Sequence, residues 1–200
     1  MRAMLVYLDT SVWAAVTIPN DWHMERGKKV IEKVLSFEDN RILVSSLVLL
    51  ELGGVVRQRL IDHENGNVKN EYISNEERAV KERIVEATTR IMDGFTAQLS
   101  DLATAGKVIV DDPKLDYKSF ISNVTNLFLS ILSDPDGLTV RPGDQNSKKS
   151  YSIKSAGHWD VQHALIAKQL MADEIVSFDK DFKQLSESRE FDGIKIRTSY

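Results

Sequence analysis

The chain has 200 residues, 42% of them hydrophobic and 28% charged, enough for one globular domain whose core needs no covalent staples. It contains no cysteine, which excludes disulfide frameworks, thiolate zinc sites and cysteine nucleophiles and fits a reducing, cytoplasmic setting. A net charge of −4 argues against a general polyanion binder, and no apolar run reads as a membrane span or a signal peptide.

Met4–Leu8 is a continuous apolar run of strand length, as a strand buried on both faces should be, and it ends in Asp9-Thr10-Ser11. Val12–Val16 follows as a short helix, for which Asp9 is a natural N-cap. The spacing predicts an amphipathic helix over Trp22–Phe37, with Val30, Ile31, Val34 and Leu35 on one face. Ile42–Val44 reads as a second buried strand, and Ser45 or Ser46 as the cap of a helix over Leu47–Leu60. Glu51 is the only charge between Leu47 and Val56. Such a carboxylate is either turned to solvent or buried with a partner or a metal, and this helix alone leaves both readings open.

Asp62–Ile73 is polar and reads as a loop. Ser74 and Glu77 form a capping box for a long helix with Val80, Ile84, Ala87, Ile91, Phe95, Leu99 and Leu102 inward and Gly106 at its end. Lys107–Val110 is a third strand, and Tyr117–Leu132 a further helix. The stretch from Asp134 to Ala156 is Gly-, Ser- and Lys-rich and predicts a mobile loop, with Lys148 and Lys149 as candidate phosphate contacts. A helix opens at Asp160, a strand over Ile175–Phe178 runs into Asp179, and Gly193–Thr198 is a last strand. This alternation predicts an α/β fold: a three-layer sandwich around a parallel sheet of four or five strands. Residues 1–200 form one domain in this reading, with a helical insertion over about 62–106.

Four carboxylates stand out: Asp9 and Asp179 at strand ends, Glu51 and Asp160 on helices that begin near the sheet's carboxyl edge, with Asp181 a fifth candidate. Gathered together, they need a cation, and an all-oxygen set selects Mg²⁺ or Mn²⁺ over zinc. That chemistry suits phosphodiester hydrolysis. Each acid also has a structural reading, as a cap or a surface turn. His158 and His163 are candidate general bases or helix-surface residues. Trp159 is a base-stacking candidate or a packing residue, and Arg57 and Arg59 are phosphate contacts or salt-bridged surface.

Leu8-Asp9-Thr10-Ser11, Glu51 within Ser45-Ser-Leu-Val-Leu-Leu-Glu-Leu52, Asp160-Val-Gln-His-Ala-Leu-Ile-Ala167 and Val176-Ser-Phe-Asp-Lys-Asp-Phe182 together resemble the PIN-domain ribonucleases. Within these the chain looks most like the VapC-type toxins and their archaeal relatives. The resemblance covers the first quarter and the last fifth of the chain. It implies Mg²⁺- or Mn²⁺-dependent endonucleolytic cleavage of RNA, an antitoxin partner and a homodimer. On that basis Asp9, Glu51, Asp160 and Asp179 are metal ligands and Asp181 an assisting carboxylate. Thr10, Ser11 and Ser177 stand behind these ligands, and the two serines orient the acids by hydrogen bonds. Two other classes compete: a non-catalytic RNA-binding or adaptor protein, and a housekeeping RNA-processing nuclease. An aspartyl-phosphate phosphatase built on Asp9 is weaker, because that chemistry wants a second Asp where Ser11 stands.

Overall fold

Successive side chains of a strand face opposite sides of a sheet, so a strand buried at every position needs cover on both faces. Val6, Tyr7 and Leu8 all have no solvent exposure, which makes their strand the centre of a covered sheet. The computed structural model of the chain describes residues 3–67, 75–112, 139–141, 152–154, 158–186 and 188–198. Among these, seven strands occur in chain order: Leu5–Leu8 (β1), Arg41–Val44 (β2), Val108–Val110 (β3), Thr139–Arg141 (β4), Ser152–Lys154 (β5), Glu174–Val176 (β6) and Lys195–Arg197 (β7). Six α-helices accompany them: Thr10–Thr17 (α1), Met24–Leu35 (α2), Ser46–Asn67 (α3), Asn75–Thr104 (α4), His158–Gln169 (α5) and Phe182–Leu185 (α6).

Five strands form an all-parallel sheet in the order β3-β2-β1-β6-β7, as the alternating pattern predicts. From β1 the chain builds outward through β2 to β3, then returns to the other side of β1 with β6 and β7. The direction of winding therefore reverses between β1 and β6, and a crevice opens at that point beyond the carboxyl ends of the strands. Asp9 follows β1 directly, and its backbone N–H donates to Val176 O at 2.9 Å, carrying the β1–β6 pairing one residue past the strand.

Helices flank the sheet. On α3, Val48, Leu52 and Val56 recur every fourth residue and have no exposure, each contributing roughly 2 kcal/mol of burial. Leu50 lies 75% exposed on the opposite side, so Glu51 sits at the boundary of the buried stripe. On α4 the predicted apolar stripe turns inward at Phe95 and Leu99, where the Phe95 ring meets Trp13 edge-on with centroids 5.4 Å apart. Helix α2 packs closely on α1 because Gly27 has no side chain: a Cβ there would meet Val16 Cγ1 at 2.7 Å.

Two expectations are corrected. Asp62–Asn67, read as loop, continues α3. Extending a helix already nucleated adds a hydrogen bond for each residue fixed, and this outweighs the turn chemistry of Asn65-Gly66-Asn67. The stretch read as a mobile loop over 134–156 contains a hairpin pair, with Val140 opposite Ile153 in an antiparallel β4–β5 ladder. Its β-branched residues were outweighed in the sequence by the surrounding Gly, Ser and Lys. Ser74 of the capping box, the helix expected over Tyr117–Leu132, and Lys148 and Lys149 lie outside the described residues.

Helix ends explain the entry into two of the parallel strands. Gly106 adopts φ +67° after α4, with Gly106 N–H donating to Ala103 O and Lys107 N–H to Leu102 O, a paired closure that turns the chain into β3. The same closure ends α5, with Met171 N–H donating to Lys168 O and Ala172 N–H to Ala167 O. There the left-handed position belongs to Met171, at φ +57°. Among the described residues no helix is long and apolar enough to cross a membrane.

Candidate metal centre at the switch point

A cleft of about 600 Å³ lies at the reversal of strand order. Its walls include Asp9, Thr10, Ser11, Glu51, Arg59, Asp160, Asp179, Lys180 and Asp181, with Asp21, His23 and Phe178 at one side. Among the described residues, six carboxylates thus share one opening with two cations, Arg59 and Lys180. All five acids singled out in the sequence line it. Arg57 does not. The two arginines are about 200° apart around the helix, so only one of them can face the cleft.

Asp9 is 5% exposed and caps α1. Its Oδ2 accepts hydrogen bonds from Ser11 Oγ at 2.6 Å, Ser177 Oγ at 2.9 Å and Ser11 N–H at 3.2 Å. The serines are fixed in turn: Phe178 N–H donates to Ser11 Oγ and Asp179 N–H to Ser177 Oγ, at 2.9 and 3.0 Å. These bonds tie the loop after β6 to the loop after β1. The strand β6 stops at Val176, two residues earlier than the apolar run implied, so Asp179 stands on this loop and not at a strand end. Asp179 Oδ1 accepts from Asp181 N–H at 2.9 Å, ordering the turn before α6.

Glu51 is neither free in solvent nor alone. Its Oε2 accepts from Thr10 Oγ1 at 2.5 Å and lies 2.6 Å from His163 Nε2. Burial alone would raise the Glu51 carboxyl, but the hydrogen bonds from His163 and Thr10, with the attraction of the imidazole, hold it below its ordinary value. His163 corrects its reading as a helix-surface residue: it is 1% exposed and stands behind the cleft wall. Its Nδ1 is 2.7 Å from the Tyr7 hydroxyl, which also bonds Ser45 Oγ at 2.9 Å. Burial pushes the Tyr7 phenol up, so the hydroxyl keeps its proton and has one to give within this chain of groups. Ser45, a candidate helix cap in the sequence, therefore spends its hydroxyl on Tyr7.

One donor atom each from Asp9, Glu51 and His163 lie within 4.8 Å of one another. That spacing fits a divalent cation, with Asp9 Oδ1 3.8 Å from His163 Nε2. The two carboxylates suit Mg²⁺ or Mn²⁺, and His163, whose Nε2 faces Glu51 Oε2 at 2.6 Å, stands behind them as the partner that orients Glu51.

The fold and cleft together define an α/β protein of parallel-sheet type with an acidic centre at the strand carboxyl ends. No protein-family profile and no curated protein matches the chain in sequence. Among solved structures it is similar to VapC20 of Mycobacterium tuberculosis, a sarcin–ricin-loop-cleaving toxin, at 13% identity and a TM-score of 0.46 over 90% of this chain and 94% of that one. It is also similar to VapBC2 from Rickettsia felis, solved with a DNA fragment from its promoter, at 15% identity and a TM-score of 0.49 over 97% and 98% of the two chains. Both scores are below one half.

Proposed function

We propose that this chain is a metal-dependent endoribonuclease of the PIN-domain type. The observation that carries the reading is the gathering of Asp9, Glu51, Asp160 and Asp179, distant in sequence, on one cleft at the sheet's switch point. Several anions in one cleft oppose each other's ionisation unless a cation joins them. Asp9 and Glu51 hold the ion in this proposal, with Asp160 and Asp179 completing the acidic wall and Asp181 assisting. A bound Mg²⁺ or Mn²⁺ supplies an activated water, orients the phosphate and neutralises charge in the in-line displacement. Ser11 and Ser177 fix the Asp9 carboxylate, Thr10 and His163 fix Glu51, and Arg59 and Lys180 meet the flanking phosphates.

The toxin role, with a protein antitoxin and a homodimer, belongs to the same proposal and rests on the sequence motifs alone. A small gene immediately upstream, whose product suppresses the activity, is the expected companion.

The test is cleavage of a mixed RNA pool with Mn²⁺ or Mg²⁺ by wild type, by Asp160→Asn and by wild type with chelator. Fragments from wild type alone support the reading. Fragments that persist with chelator contradict the metal role, and RNA binding without cleavage in every arm favours the non-catalytic adaptor.

A further inference from the structure

Beside the acidic wall, the cleft carries an aromatic corner that hydrolysis does not require. The rings of His23 and Phe178 both line the opening, with centroids 5.7 Å apart and planes tilted by 57°. His23 is exposed, and Phe178 half-buried. Phe178 is held in place at its ring and His23 at its backbone. Asp21 Oδ1 accepts from His23 N–H at 2.8 Å, fixing the turn that enters α2. The Arg26 guanidinium lies 4.2 Å from the Phe178 ring centroid and is anchored by a 3.0 Å bond to Thr198 O. Phe178 N–H reaches Ser11 Oγ, whose own proton goes to Asp9, so one hydroxyl links the corner to the carboxylate. The residue before His23, Trp22, is 91% exposed.

An exposed ring at the mouth of an acidic cleft, set on a fixed backbone turn and against a second ring, offers a face that something flat can cover. Nucleobases are flat, and bases outside a duplex offer free faces to aromatic and guanidinium planes. Arg59 and Lys180 on the same cleft supply the charge that a ribose-phosphate strand follows. We propose that His23 and Phe178 form a base-stacking subsite next to the acidic centre, which selects RNA whose base flanking the scissile phosphate is unpaired. This rests on the ribonuclease reading and adds to it the state of the substrate.

The experiment is a binding titration of short single-stranded RNA carrying one 2-aminopurine, in Ca²⁺, followed by the probe's fluorescence. The proteins are wild type, His23→Ala and His23→Phe, with Met171→Ala as a control on a residue remote from the cleft. Wild type binds and changes the fluorescence, and annealing the complementary strand weakens binding. His23→Ala lowers affinity about 5- to 100-fold, the range for losing one stacked base. His23→Phe restores it, because the ring face and not the imidazole nitrogens makes the contact. Equal affinity in wild type and His23→Ala, equal binding of duplex and single strand, or no binding by wild type each overturns the subsite. Cleavage of the RNA pool is scored separately. Cleavage with no effect at His23 removes the subsite and leaves the nuclease, whereas stacking without cleavage removes the nuclease and leaves the subsite.

Discussion

Glu51 Oε2 and His163 Nε2, 112 residues apart in sequence, stand 2.6 Å from each other, the carboxylate on the cleft wall and the imidazole behind it. The imidazole is gripped from its other side by Tyr7, and Tyr7 by Ser45. Three elements, β1, α3 and α5, thereby fix the direction of one carboxylate. A group that orients a ligand in this way is commonly worth 10- to 100-fold in metal affinity. Tyr7→Phe removes the hydroxyl while keeping the ring and strands both Ser45 and His163 Nδ1. We expect it to lower folding stability by about 1–3 kcal/mol and Mn²⁺ affinity by about tenfold, measured by urea unfolding and by Mn²⁺ titration. A variant that keeps wild-type metal affinity contradicts the positioning role of the chain.

The acid limb of stability follows from Glu51. Burial raises its carboxyl, the hydrogen bonds from His163 and Thr10 lower it more, and the net direction is downward from 4.5. A carboxyl lower in the folded than in the unfolded state stabilises the fold above its unfolded value, and that contribution disappears as pH falls through the folded value. Metal-free wild type should therefore lose stability on acidification below about pH 4.5. Glu51→Gln should show a flatter slope in the same window. Melting temperatures of the two proteins across about pH 3 to 6, with chelator present, check this; parallel curves contradict it.

How much of this was legible in the sequence differs from residue to residue. Asp9 and Asp179 could be found because apolar runs of strand length end beside them, and Glu51 because it is the lone charge in an apolar helix segment. The parallel sheet followed from continuous apolar strands alternating with helices. His163 reads in the sequence as a candidate general base or a helix-surface residue, not as the partner of Glu51. The signal was present: it lies three residues after Asp160 and four before Ala167, inside the buried stripe, where a polar ring needs partners. Tyr7 carried a similar signal, since a tyrosine inside a two-face-buried strand must bring its hydroxyl to a partner. The partners themselves, Ser45 and Glu51, are set by strand order, which local pattern does not encode. The β4–β5 pairing was hidden for a different reason: its short β-branched segments lie among Gly, Ser and Lys.

Met171 is a local departure that can be improved. It holds a left-handed backbone after α5, in the same hydrogen-bonded closure where Gly106 serves α4, and its side chain is 78% exposed. Glycine has no Cβ to strain there, and little burial is lost with the methionine. Met171→Gly should raise stability by about 1 kcal/mol and the melting temperature by about 2–4 °C, read by calorimetry, with the cleft unchanged. A lower melting temperature would mean that the Met171 side chain contributes more than its exposure implies.

Calorimetric titration of Mn²⁺ into wild type and Asp9→Asn tests the central claim most directly, with the fold of each followed by circular dichroism. Asp9 accepts three hydrogen bonds, two from Ser11 and one from Ser177, and shares the 4.8 Å cluster with Glu51 and His163. Saturable binding by wild type, lost in a folded Asp9→Asn, is the predicted result. A folded wild type that takes up no Mn²⁺, or an Asp9→Asn variant that binds as tightly, contradicts the assignment of this cleft as a metal centre.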